Sequence, residues 1–83
     1  MGMRPITIYV PEEILNTSDT DPAAFARELT LLAAIKLYEL GRLSSGRAAE
    51  LAGISRIEFL SALHKYHVFP LEAELEDMES EHA

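Results

Sequence analysis

Cysteine is absent from the 83-residue sequence, so neither a disulfide bond nor a thiolate metal site can stabilise the fold. No apolar run reaches the ~18 residues that a membrane-spanning helix needs, and no charged-then-apolar leader opens the chain. We therefore expect a cytoplasmic protein without a membrane partner. A domain this small buries only about 60% of the surface of its unfolded chain, so a partner subunit is the expected source of further burial.

Positive charge is also scarce. With 7 basic and 14 acidic residues, the formal net charge of −7 argues against a general nucleic-acid binder. From Leu71 onward there are six acidic residues and no lysine or arginine, whereas Arg42 to Tyr66 carries four basic residues against two acidic ones. The sequence therefore predicts a domain over residues 1–70 with a mildly basic centre, followed by an acidic tail over residues 71–83.

An alternating pattern marks the N-terminal part of the chain. Ile6 to Val10 are β-branched or aromatic residues between two prolines, which predicts a short β-strand. A single strand needs a hydrogen-bonding partner, and the candidates are the stretch Tyr66 to Leu71 and the same strand of a second chain. Pro11 to Leu15 then favours a short helical turn.

The longest predicted helix begins at Asp21 and Pro22, an N-cap residue followed by a proline at the first helical position, and ends at Gly41. Its second half is apolar nearly all round, which is typical of a helix buried on several sides. The chain has too little other sequence to cover it, so we expect one face to serve the core and another to form a homodimer. The predicted dimer-interface residues are Leu29, Leu32, Ile35 and Tyr38.

The stretch from Ser44 to Tyr66 predicts two short helices joined by a tight turn. Ser44 can cap the first helix, the small pair Ala48 and Ala49 allows a close crossing, and Gly53 suits a turn with positive φ. Small residues, a turn glycine and a second helix at this spacing are typical of a helix-turn-helix. An ordinary helical hairpin is the alternative. The predicted fold is thus mainly α, with a short N-terminal strand.

The second of these helices has its own start signal and its own inward face. Ser55 followed by Glu58 forms a capping-box pattern, and Phe59, Ala62 and Leu63 supply an apolar stripe. If this helix enters the major groove of DNA, its N-terminal and outward residues face the bases. These predicted base-facing residues are Ser55, Arg56, Ile57, Leu60, Ser61 and His64.

Arg56 is the only one of these side chains suited to a bidentate contact with guanine. Arg42, Arg47 and Lys65 are placed for phosphate contacts, and a dimer would double their number. A second possible reading surface is a ribbon of two N-terminal strands, with Arg4, Thr7 and Tyr9 towards the DNA. A strand followed by Pro-Glu-Glu and a helix is also typical of ribbon-helix-helix repressors.

The acidic tail carries Leu71, Leu75 and Met78 at spacings of four and three residues. This pattern predicts a narrow amphipathic helix that binds a groove on a partner protein. The alternative is a tail that is disordered in the isolated chain.

Residue patterns for catalysis are missing from the sequence. There is no glycine-rich phosphate loop, no metalloprotease motif and no evident Ser-His-Asp set. His64 and His67 share a helix face, but no third metal ligand is evident beside them. We therefore expect no enzymatic activity, no cofactor and no metal.

The sequence resembles a family of small uncharacterised prokaryotic proteins regarded as antitoxins (VapB-like) of PIN-domain toxins. The resemblance covers most of the chain from Ile6 to about Asp77, and the block from Leu43 to Leu60 is its most specific part. The other matching stretches are Ile6-Thr7-Ile8, Pro11-Glu12-Glu13, Ala34-Ile35-Lys36-Leu37-Tyr38-Glu39 and Lys65-Tyr66. His67 stands where the family usually has glycine.

The resemblance implies a type II antitoxin that binds double-stranded DNA, represses its own operon and neutralises a ribonuclease toxin of the PIN-domain class. A protein-interaction module that never meets DNA is the alternative function.

Overall fold

The structure, a computed structural model, describes residues 2–69. These residues form helices α1 (Glu12–Thr17), α2 (Pro22–Glu39), α3 (Ser45–Ala52) and α4 (Arg56–Lys65). The predicted partner-binding residues Leu71, Leu75 and Met78 lie outside the described residues. No helix in the described part of the chain is long and apolar enough to cross a membrane.

Side-chain caps explain where the three longer helices begin. Asp21 accepts a hydrogen bond of 2.7 Å from the backbone N–H of Ala24, and Pro22 fills the first helical position, which confirms the predicted start of α2. Ser44 accepts from the N–H of Arg47 at the start of α3. These caps satisfy N–H groups that have no partner within their helices.

The same three helices end alike, in a residue with left-handed backbone conformation. Gly41, Gly53 and His67 have φ values of 78°, 73° and 60°. In each case the next N–H donates to a carbonyl five residues earlier, as Ile54 does to Ala49 at 3.0 Å and Val68 to Leu63 at 2.9 Å. This is the Schellman arrangement, and it satisfies the last carbonyls of each helix.

The core lies where α2, α3 and α4 meet, since α3 packs against both of the other helices. The fully buried side chains of Tyr38 and Phe59 contact each other edge to face, with ring centroids 5.7 Å apart. Around this pair lie the remaining buried apolar residues, which are Ala34, Ile35, Ala48, Ala49, Leu60 and Leu63. The small pair Ala48 and Ala49 is buried at the helix crossing, as the sequence predicts.

The predicted N-terminal strand is wrong. Residues 2–11 have no regular secondary structure, and Ile6 and Tyr9 are 86% and 94% exposed. In the predicted partner segment that begins at Tyr66, the N–H of Val68 donates to the carbonyl of Leu63 in α4 and not to a strand. A lone strand leaves its backbone groups without partners, so alternation alone does not produce one. The alternative DNA-reading ribbon with Arg4, Thr7 and Tyr9 requires this strand, so it is contradicted as well.

Two of the four predicted dimer-interface residues are buried in the core of the chain itself. Ile35 and Tyr38 are 5% and 2% exposed because they face α3 and α4 within the same chain. Leu32, which lies on a different side of α2, is 39% exposed, and Leu29 is half-buried. The apolar residues of α2 thus lie on two sides of the helix, one that faces the core and one that faces outward.

Candidate nucleic-acid interface

The hairpin of α3 and α4 is held by a three-residue connection, Gly53-Ile54-Ser55. Gly53 adopts the left-handed conformation that ends α3, and Ile54 is half-buried against the core. Ser55 and Glu58 form the predicted capping box, in which each side chain accepts a hydrogen bond from the other residue's backbone N–H, at 3.1 and 3.2 Å. The direction of α4 is therefore fixed at its first turn.

Arg56 does not lie on the outer side of α4. It is half-buried, and its Nε donates a hydrogen bond of 3.0 Å to Oγ of Ser45, a buried residue at the start of α3. Ser45 is only 1% exposed. The guanidinium of Arg56 thus connects two helices of the same chain, which argues against the predicted role of Arg56 as a guanine reader.

Leu60, another predicted base-facing residue, lies on the inner side of α4. It is 3% exposed and belongs to the core. The helical spacing contains the signal that identifies both errors, because Arg56, Phe59, Leu60 and Leu63 fall at i, i+3, i+4 and i+7. Residues at that spacing share one face of a helix, and here that face is the buried one.

The opposite side of α4 remains available to solvent. Ile57, Ser61 and His64 are exposed and follow one another at i, i+4 and i+7, and we call them the outer face of α4. Ile57 is 43% exposed. Ser55 is exposed at the N-terminal end of this face, where its hydroxyl accepts the capping bond and can still donate one. The outer face thus offers one apolar contact and several hydrogen-bonding groups.

Three exposed cations surround the hairpin. Arg42 lies in the connection between α2 and α3 and forms no ion pair with another described residue. Arg47 pairs with Glu50 at 3.0 Å, and Nζ of Lys65 lies 5.6 Å from the centroid of the Tyr66 ring. Exposed ion pairs of this kind contribute little, about 0–1 kcal/mol, so Arg47 can exchange Glu50 for a phosphate.

The described residues contain no group of three histidine, cysteine, aspartate or glutamate side chains that could hold a metal ion. His64 and His67 are both exposed, and His67 is the residue with left-handed backbone conformation that follows α4. An open cleft of about 330 Å³ lies beside the turn and is lined by Leu31, Ile54 and Tyr66 among others. Its charged lining residues, Arg27 and Glu28, lie at the exposed rim.

Comparison with known proteins gives relatives but no function. The model of an "Uncharacterised protein family (UPF0175)" matches residues 1–83. A UPF0175 protein of Archaeoglobus fulgidus is 36% identical over 76 residues, which cover 92% of this chain and 84% of that protein. A UPF0175 protein of Aeropyrum pernix is 36% identical over 63 residues, or 76% of this chain and 66% of that protein. No solved structure matches significantly.

Proposed function

We propose that this chain, which belongs to the uncharacterised protein family UPF0175, is a DNA-binding transcriptional regulator of the antitoxin type. One observation carries the proposal: a left-handed turn at Gly53 and a capping box fix α4 so that its outer face projects from the body of the domain. Two short helices with this connection are the arrangement of a helix-turn-helix, whose second helix enters the major groove.

The exposed groups of α4 determine what kind of recognition is possible. Ser61 and His64 supply hydrogen-bonding groups, and Ile57 supplies an apolar contact of the kind that meets a thymine methyl group. Since Arg56 bonds to Ser45, no guanidinium belongs to this face. Recognition by α4 then favours A·T pairs and depends on few direct contacts.

Charge supports DNA binding only close to the hairpin. Residues 42–66 carry a net charge of +2, and Arg42, Arg47 and Lys65 are exposed there. These few phosphate contacts predict modest affinity that falls steeply as salt is raised. Two copies on one operator would double the number of contacts.

The proposal is tested by titrating the full chain against the DNA upstream of its own gene at two salt concentrations. We expect sequence-specific retardation that weakens strongly at the higher salt concentration. Ser61→Ala, which removes a polar group from the outer face, should weaken binding or alter base preference. Ser18→Ala is the matched control, because Ser18 is an exposed serine at the end of α1, away from the hairpin. Absence of retardation at low salt would refute the proposal.

Arg56→Ala gives a different expected result from Ser61→Ala. Because Arg56 hydrogen-bonds to Ser45 between the two helices of the hairpin, its loss should lower affinity for all operator variants by a similar factor. A change confined to one base position would instead return Arg56 to the reading surface.

We extend the proposal to neutralisation of a PIN-domain toxin, which is supported by the resemblance of residues 43–60 and of the flanking stretches to antitoxins. The test is whether the adjacent gene encodes a PIN-type nuclease and whether the two proteins co-purify after joint expression. Co-purification that relieves the toxicity of the nuclease is the expected result. An adjacent nuclease that neither binds this chain nor loses its toxicity would contradict the extension.

A protein-interaction module without DNA binding is the second candidate function. It is favoured by the absence of arginine from the outer face of α4 and by the exposure of Ile57, an apolar residue, on that face. The DNA titration separates the two candidates, because this alternative predicts no retardation at any salt concentration.

A further inference from the structure

Formal charge is distributed unevenly along the chain. Residues 2–41 carry three basic and six acidic residues, a net charge of −3. Residues 42–66 carry four basic and two acidic residues, a net charge of +2, and the acidic tail carries six acidic residues with no lysine or arginine, a net charge of −6. Of these parts, only residues 42–66, which include the α3–α4 hairpin, attract a negatively charged segment.

We propose that the acidic tail, residues 71–83, contacts the exposed cations of the hairpin in the free protein and competes there with DNA. This inference rests on the proposed function, because the competitor is the DNA that the hairpin is proposed to bind. Carboxylates and phosphates bond to the same guanidinium and ammonium donors, so the tail and the DNA backbone compete for the same cations.

The acidic tail joins the hairpin through a short connection. The N–H of Val68 donates to the carbonyl of Leu63 at 2.9 Å, and Val68 packs against the core, so the chain is held to the end of α4 up to this residue. Glu72 follows only four residues later. The nine residues from Val68 to Asp77 can span up to about 30 Å, whereas α4, with ten residues, is about 15 Å long. The acidic side chains can therefore reach either end of α4.

Cations lie near both ends of α4. Lys65 is its last residue, and the hydrogen bond of 3.0 Å from Arg56 to Ser45 holds the start of α3 near the start of α4. Arg42 and Arg47 lie within three residues of Ser45 in sequence, so they belong to that end of the hairpin.

Other groups hold these arginines only weakly. Arg42 forms no ion pair with another described residue. Arg47 pairs with Glu50 at 3.0 Å, but the two side chains are 57% and 69% exposed. An exposed pair of this kind contributes about 0–1 kcal/mol. A carboxylate of the acidic tail can therefore replace Glu50 or join it.

The covalent connection makes a weak contact effective. A segment joined to its site by a short linker meets that site at an effective concentration on the order of millimolar, so it occupies cations that a separate peptide would not. Charge interactions at the surface are screened beyond the Debye length of about 8 Å at 0.15 M salt, so the contact weakens as salt is raised.

The first experiment compares the DNA affinity of two variants of the full chain that each remove three negative charges. The tail variant combines Glu72→Gln, Glu74→Gln and Glu76→Gln. The control variant combines Glu12→Gln, Glu13→Gln and Asp19→Asn, which are exposed residues of α1 and the turn after it. We expect the tail variant to bind the DNA upstream of the gene several fold more tightly than the control variant. Equal affinities would mean that only net charge matters, and would overturn the inference.

The second experiment needs no DNA and detects the contact itself. The backbone amide resonances of Arg42 and Arg47, which are distant in sequence from the acidic tail, are compared between the wild type and each variant by NMR at low and high salt. We expect the tail variant to shift these resonances at low salt but not at high salt, and the control variant to leave them in place.

The two experiments separate this inference from the proposed function. Retardation of DNA without any shift at Arg42 and Arg47 would overturn the inference and keep the proposed function. Shifts at these residues without retardation of DNA would confirm the contact and refute the proposed function.

Discussion

The α3–α4 hairpin and the N-terminal segment, residues 2–11, both carry a regular apolar pattern, yet only the hairpin contributes to the core. The hairpin satisfies its backbone groups locally, through helical hydrogen bonds, two side-chain caps and a left-handed turn. The N-terminal segment has no such local hydrogen bonds, and its side chains Met3, Ile6, Ile8 and Tyr9 are exposed. A pattern therefore predicts structure reliably when the hydrogen bonds that it needs come from neighbouring residues.

The largest expected difference between the two regions comes from truncating one aromatic residue in each. Phe59→Ala should reduce the free energy of unfolding by about 3–5 kcal/mol, because a fully buried ring that contacts Tyr38 is lost. Tyr9→Ala, at a position 94% exposed, should change it by less than about 0.5 kcal/mol. Chemical denaturation measures both, and an equal loss would remove the distinction between the regions.

Two glycine substitutions within the hairpin test how far its stability depends on backbone conformation. Gly53→Ala should cost about 1–2 kcal/mol, because φ there is 73° and an L-residue is strained in that conformation. Gly46→Ala, within α3, should instead stabilise by about 0.5–1 kcal/mol. An added Cβ meets nothing within 4 Å at either position, so conformation alone separates them. Thermal unfolding of the two variants should shift in opposite directions.

The capping box is expected to have a smaller effect. Ser55→Ala should lower the free energy of unfolding by about 1 kcal/mol, since the N–H of Glu58 loses its acceptor. Ser61→Ala, in the middle of the same helix and exposed, should stay within about 0.5 kcal/mol of the wild type. If Ser55→Ala also left the free energy of unfolding unchanged, local capping would not explain why α4 begins at Arg56.

The smallest effect concerns the end of α4, where His67 takes the position that Gly41 and Gly53 take in α2 and α3. His67→Gly should stabilise by about 1 kcal/mol or less, because the relief of left-handed strain exceeds the entropy that glycine adds to the unfolded chain. His64→Gly, inside the helix, should destabilise by roughly 0.3–0.5 kcal/mol. Changes of the same sign in a careful thermal comparison would contradict this account.

Much of the fold follows from residues whose roles are local. Asp21 and Pro22 mark the start of α2, Gly41 its end, and Ser55 with Glu58 the start of α4, all as predicted. Each of these signals depends on hydrogen bonds between residues that are close in sequence. The strand prediction failed because pairing is a long-range property that alternation does not encode.

The errors in the candidate site have another cause. The charge of Arg56 favours the outer side of α4, but its spacing to Phe59 and Leu60 places it on the buried side. There it donates to the buried hydroxyl of Ser45, eleven residues earlier, and no local pattern reveals that acceptor. Likewise, the choice of core side on α2 depends on where α3 packs, so Ile35 and Tyr38 could not be separated from Leu32 by composition alone.

The hydrogen bond from Arg56 to Ser45 also has an evolutionary consequence. A buried hydroxyl and a half-buried guanidinium constrain each other, because losing either residue removes the hydrogen bond between them. Positions 45 and 56 should therefore covary among related chains, with arginine retained where serine is retained and both exchanged together. Substitutions on the outer face of α4 can then occur without altering the contact that holds α4 against α3.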